Sequence, residues 1–167
     1  MRFDAGSADC RVFTYKEGPL SPLGHDLELR VARFTVEVSD DRAGVEGVFE
    51  AGSLQLVGAS VEGRVHAMSE RDRHSIESTL AGEILQARRF PEIRFRSTAI
   101  SPEEIRGTLT LLGRTRELVC QRTREAGRET ASVKIHQPDF GITPYRAMLG
   151  ALRVRADVLV RITLPLS

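Results

Sequence analysis

Apolar and polar residues alternate with a period of two through most of this chain, the spacing that sends successive side chains to opposite faces of a β-strand. The clearest run is LRVRADVLVRITL near the C-terminus. There Leu152, Val154, Ala156, Val158, Val160, Ile162 and Leu164 share one face, while Arg153, Arg155, Asp157 and Arg161 share the other. This run predicts one long strand, apolar on one side. Ile93, Phe95, Ser97 and Ala99 repeat the pattern, as do Ile105, Gly107, Leu109 and Leu111, which predicts two neighbouring strands joined by the turn ISPEE. Val61, Gly63, Val65 and Ala67 form a further alternating set, and Val133 with Ile135 another.

The phase slips in two places. In DLELRVARFTVEV the apolar positions start on Leu27, Leu29 and Val31 but move to Phe34, Val36 and Val38, a slip of one residue near Ala32 and Arg33. A bulge repairs such a slip, because one extra residue restores the inward face and bends the strand. A second slip near Gly52, between Phe49 and Leu54, has the same reading.

One segment follows another period. In SERDRHSIESTLAGEIL, Ser69 suits a helix N-cap with Asp72 three residues on, and Ile76, Leu80 and Ile84 recur every four residues. The pattern predicts one α-helix over about residues 70–85, which Gly82 weakens by about 1 kcal/mol relative to alanine. Eight or nine strands and one helix predict an all-β antiparallel barrel or sandwich. The length of the last strand favours a closed, tilted barrel.

Composition narrows this picture. At 167 residues the chain fits a single domain, residues 1–167, and 28% charged with 41% hydrophobic residues is the balance of a globular protein rather than a disordered one. The 24 basic residues are matched by 23 acidic ones, so no global field draws nucleic acid, and no nucleic-acid partner is expected. No apolar run reaches the roughly 18 residues of a spanning helix, and aromatic girdles of a membrane barrel are missing, so a membrane-spanning protein is not expected. The first residues, MRFDAGSADC, lack the apolar stretch of a signal peptide. A cytoplasmic location is therefore expected as the sequence stands, and a periplasmic one if an export signal has been removed. Cys10 and Cys120 stand far apart, outside any zinc-binding spacing, and are expected to be buried thiols.

Four histidines are the candidate reagents. His66 and His136 fall on the polar phase of their strands, and His74 falls on the polar side of the helix. No two share the spacing that would aim both at one ion, so no metal site is expected. His25 and Asp26, in LSPLGHDLEL, point to opposite faces of an extended chain, which argues against a local dyad. With no nucleophile elbow or phosphate-cradling glycine motif, no catalytic residue is assigned. Two readings of His25 stay open: a residue closing the barrel end, or a polar contact to a ligand's head group.

The order RDRH, a helix, RRFPEIRFRSTAI, IRGTLTLLGRTREL, PDFGI and GALRVRADVLVRITLPL resembles the YceI-like family of lipocalin-type proteins over roughly residues 21–166. The resemblance implies an extended eight-stranded antiparallel barrel with one inserted helix. It also implies a long apolar lumen that in relatives holds a polyisoprenoid or similar amphiphile. Family members are often periplasmic, and dimers are known among them, so a homodimer is one expectation. The chain departs from better-known members in LSPLGHDLEL, where theirs is more apolar, and in its missing export signal.

The function expected is noncatalytic carriage of a polyisoprenoid or another long-chain amphiphile. The partner is a hydrophobic small molecule or lipid; no cofactor is expected, with an isoprenoid or isoprenoid quinone lipid as the candidate bound molecule. The inward phase of each strand nominates Phe34, Phe49, Phe95, Leu109, Leu111, Val154, Val158 and Ile162 as the apolar lining. His25, Arg71 and His74 are nominated for the polar end. Two alternatives remain: a small hydrolase or isomerase using His25 with Asp26 or His74, and a structural or partner-binding barrel whose lumen is filled by its own side chains.

Overall fold

A computed structural model describes residues 1–166. In chain order its elements are β1 (Arg2–Asp4), β2 (Asp9–Thr14), β3 (Lys16–Glu17), β4 (Asp26–Val31), β5 (Phe34–Val38), β6 (Val45–Glu50), β7 (Leu54–Val61) and β8 (Arg64–His66). They continue as α1 (Glu70–Thr79), β9 (Glu92–Ile100), β10 (Glu104–Leu111), β11 (Arg114–Glu125), β12 (Arg128–His136), β13 (Arg146–Ala147), β14 (Leu152–Val154) and β15 (Asp157–Pro165).

The all-β, barrel-like architecture expected from the alternation is present, although the main sheet of the described residues holds twelve hydrogen-bonded segments rather than eight strands. The difference lies in bends. β4 and β5 are two halves of one bent stretch, and β6 and β7 of another; β4 pairs with β7 and β5 with β6. Since β4 also pairs with β2 and β6 with β9, antiparallel neighbours run β2, β4/β5, β6/β7, β9, β10, β11, β12, β15 and return to β2. Eight stretches thus close a ring, and β1 and β8 extend its two ends.

Both slips in the sequence become these bends. Ser53, buried between them, accepts the Arg33 N–H at 3.1 Å and donates to the Glu50 carbonyl at 2.8 Å, while its own carbonyl accepts from Ala32 at 3.0 Å. One small polar side chain so satisfies backbone groups that the bends take out of the ladder.

Three stretches differ from the sequence reading. Residues 61–67 are a hairpin, because Glu62 and Gly63 both take positive φ (49° and 77°) and turn the chain between β7 and β8. In β9 a register shift opposite Arg106 and Gly107 turns Ala99 outward and brings Ile100 to the interior. The last strand breaks at Arg155 and Ala156, whose carbonyls accept from the Gln137 side chain (3.0 Å) and backbone (2.8 Å). β14 therefore leaves the barrel and joins β3 and β13 in a separate three-stranded sheet.

The helix forms where the period of four predicted it. Ser69 caps it by accepting the Asp72 N–H at 3.1 Å. Beyond Thr79 it widens into a π-helical turn, Leu80–Ile84, where Gly82 sits and Leu85 N–H reaches back to the Leu80 carbonyl at 2.9 Å. Leu85 then packs in the core. Glu77 docks the helix on the barrel by accepting the Leu56 N–H at 2.8 Å, beside a register shift in the β4–β7 pair. Glu77→Ala removes that acceptor from a part-buried donor, and the expected cost is about 1–3 kcal/mol, read as a lowered midpoint in urea; an unchanged midpoint would show that the helix docks by its apolar side alone.

Two packed groups of buried side chains make the core. Cys10, Val31, Phe34 and Val36 form one, and Ala51, Leu85, Leu109, Leu111, Phe140 and Ile142 the other, with Leu54 against both.

Two internal cavities as the candidate functional site

Inward side chains leave two cavities. The first, about 150 Å³, lies in the lumen between β5, β6, β9 to β12 and β15. Its walls are aliphatic and aromatic: Phe49, Phe95, Leu109, Leu118, Ile135, Val160 and Ile162 among them. Cys120 also lines it, and burial pushes that thiol up to about 11. In the other packed group burial, aided by the Asp9 charge, raises the Cys10 thiol to about 12. Both cysteines are free and buried, as expected, and both hold their protons near neutral pH.

At one side of this cavity stand Arg42, Arg122 and Glu129. Arg122 grips Glu129 with two hydrogen bonds (2.5 and 3.0 Å) and donates a third to the Ser101 carbonyl at 2.8 Å. Arg124 adds a bond to Glu129 at 2.9 Å. Burial raises the Glu129 carboxyl, but the hydrogen bonds and charges of Arg122 and Arg124 outweigh it and hold the group below the usual carboxylate range. In sequence the signal was an arginine in the phase of Leu118 and Cys120, and a glutamate in the phase of Ala131 and Val133.

The second cavity, about 250 Å³, lies between the barrel and α1. Leu27 and Leu29 of β4, Ile76 of α1, Leu80 and Ile84 of the π turn, and Leu152 and Val154 of β14 make its apolar wall. Its polar members are Thr14, Lys16, His25, Ser75, Thr79, Gln137, Tyr145 and Arg153. Thr14 is buried, and its hydroxyl has no hydrogen-bond partner among the described residues.

The packed group around Phe140 separates the two spaces, for it touches Phe95, Leu118 and Ile135 of the first wall and Ile84 of the second. The PDFGI segment builds this partition. A tight turn over Gln137–Phe140 ends on Gly141 at φ 75°, where a Cβ would stand 2.8 Å from the Arg114 guanidinium carbon. The turn leaves Phe140 only 1% exposed.

Of the nominated lining, Phe49, Phe95, Leu109 and Ile162 face the lumen cavity. Val154 faces the other one, because the break at Arg155 moves β14 out of the barrel. Phe34 lines neither interior space. It stacks on Phe49 with ring centres 5.8 Å apart and is part of a packed group. Leu111 is likewise packed beside Phe140, and Val158 borders neither cavity. His25 lies in the wall of the helix-side cavity, whereas Arg71 and His74 sit on the exposed side of α1, away from that wall. The helix turns Ser75, Ile76 and Thr79 inward instead.

The residues of the hydrolase or isomerase alternative do not assemble. The Asp26 carboxylate is occupied by the Lys16 N–H at 2.8 Å, and His25 has no hydrogen-bond partner among the described residues. His136 and Asp157 bond at 2.7 Å across β12 and β15, but both are exposed. Among the described residues no group of three or more His, Cys, Asp or Glu is placed to hold a metal ion, and no helix is long and apolar enough to cross a membrane. The sequence reading placed Arg153 on the outer face of a strand running unbroken through 152–164 and did not single out Thr14, Lys16 or Gln137, which stand at the end of β2, on the two-residue β3 and in the tight turn after β12.

A family model described as a YceI-like domain matches residues 25–166. Comparison with curated proteins finds no matching relative. Among solved structures, Burkholderia cenocepacia BcnA is similar with a TM-score of 0.65 at 15% identity, covering 98% of this chain and 99% of that one. A polyisoprenoid binding domain from Saccharophagus degradans is similar with a TM-score of 0.55 at 10% identity, covering 95% and 96%. At such identities these likenesses establish the shared fold.

Proposed function

Because the chain belongs to the YceI-like family, whose fold is a binding fold, we propose that it is a noncatalytic carrier holding the apolar chain of an isoprenoid, an isoprenoid quinone or another long-chain amphiphile. The observation that carries this reading is the pair of apolar-walled cavities on either side of the Phe140 partition. Each CH₂-sized group moved from water into such a wall contributes about 0.8 kcal/mol, so even a partly seated chain is held firmly. A chain spanning both spaces must displace the partition. The barrel with a filled lumen is the weaker reading, since open volume remains on both sides of that packed layer.

Native mass spectrometry of the gently purified protein, before and after incubation with a prenyl alcohol or a ubiquinone analogue, tests the proposal. A lipid adduct is the expected result. Protein that is empty on purification and takes up none of these compounds would overturn it.

A further inference from the structure

We infer that the cavity under α1 selects an amphiphile with an anionic oxyacid head, a carboxylate or a phosphate monoester, on one short apolar chain. The inference rests on the carrier reading above and specifies the ligand at one of the two cavities.

Charge is the first ground. Lys16 and Arg153 line this cavity, and none of its lining residues is an aspartate or glutamate. That is a local departure, since the chain as a whole balances 24 basic against 23 acidic residues. Glu17 pairs with Arg153 at 2.8 Å from outside the wall and offsets one charge; Asp26 accepts the Lys16 backbone N–H at 2.8 Å, but among the described residues no carboxylate pairs with the Lys16 ammonium.

Spare donors are the second ground. The Lys16 ammonium gives one hydrogen to the Gly24 carbonyl at 3.3 Å and keeps two. Arg153 spends Nε on Glu17 and Nη1 on the Gly150 carbonyl at 3.2 Å, so Nη2 is free to donate. His25 adds an imidazole with no partner among the described residues. Behind Lys16, two residues earlier, lies the buried Thr14 hydroxyl, also without a partner. Charge-assisted hydrogen bonds from such donors to an oxyanion are the strong kind. The lumen cavity offers no equivalent in Arg122, whose bonds go to Glu129 and Ser101.

Size sets the chain. A cavity of about 150 Å³ admits benzene, so a space of about 250 Å³, whose lining includes the exposed His25, Ser75 and Tyr145, takes a short apolar chain with its head toward solvent. Ile84, which packs against the Phe140 group, marks the closed end.

The test compares dodecanoate, dodecyl phosphate and dodecanol by calorimetric titration, with methyl-labelled methionine followed by NMR. Met68 lines the helix-side cavity and Met1 the lumen cavity, so the two methyls report which space is filled. Both anions are expected to bind about tenfold or more tighter than dodecanol, shifting Met68 and sparing Met1; their relative affinity tells carboxylate from phosphate. Lys16→Met and Arg153→Met should each lower the ratio of anion to dodecanol affinity, and the wild-type comparison stands if either variant fails to fold. Equal binding of all three probes, or a response at Met1 alone, overturns the head-group inference but leaves the carrier reading standing. Binding of no probe, together with no uptake of prenyl lipid, removes both.

Discussion

Phe140→Ala is expected to destabilise the protein by about 3–5 kcal/mol, the range for deleting a buried aromatic ring that its neighbours cannot close over. Phe140 is 1% exposed and packs with Ala51, Leu85, Leu109, Leu111 and Ile142. Those neighbours come from the bend between β6 and β7, the turn after α1, β10 and the PDFGI segment, so none can move into the gap without unsettling an element that has other contacts. For a chain of this length the loss corresponds to a fall in melting temperature of roughly 10 °C. Phe140 itself lines neither cavity, but its packed group touches both walls, so a long prenyl chain that crosses this layer should gain affinity relative to a short one in the variant. Phe140→Leu keeps most of the volume and should lose less stability. A melting temperature for Phe140→Ala within a degree or two of the native protein would show that the partition is loosely packed, and would sink this account of it.

Arg122→Ala is expected to cost about 1.5–3 kcal/mol near neutral pH, the range for hydrogen bonds to a charged group. The side chains of Arg122 and Glu129 are 9% and 16% exposed, so solvent screens their interaction little. The variant leaves the Ser101 carbonyl without its donor and Glu129 with Arg124 as its remaining partner. The pH dependence follows from the direction of the Glu129 shift. Its carboxyl is held below the usual range in the folded protein, so the pair's contribution is fully present above the unfolded value of about 4.3. It is lost as pH falls through the lower folded value. Urea titrations at neutral pH and in strong acid should therefore show a large gap between native protein and variant that narrows in acid. A gap independent of pH would mean that Arg122 acts by packing alone. Replacing both partners by methionine should recover much of the loss, because two apolar side chains need no partner.

Much of the architecture was legible because a barrel strand with one wet and one dry face must alternate. Leu109, Phe95 and Ile162 could be assigned to the interior from phase alone, and they line the lumen. Even the slips at Ala32 and Gly52 were readable, since the inward face has to be restored after each. The cavity under α1 was mostly illegible. Its Lys16 sits on an element of two residues, too short for a period, Arg153 falls on the polar phase of the run that breaks at Arg155, and the helix residues that line it include polar Ser75 and Thr79.

The sequence by itself determined the strand faces, the single helix with its Ser69 cap, and the family likeness carried by spaced motifs, because each depends on residues near one another along the chain. Tertiary structure alone decided that 152–164 breaks at Arg155, that the packed group of Phe140 lies against both cavity walls, and that Lys16, His25 and Arg153 line one cavity. Each of these results from competition between distant groups. Gln137 takes the Arg155 and Ala156 carbonyls, Gly141 makes room beside Arg114, and the departure of β14 carries Arg153 to the helix-side cavity. Alternation says which way a side chain faces, but not whether the space it faces is filled.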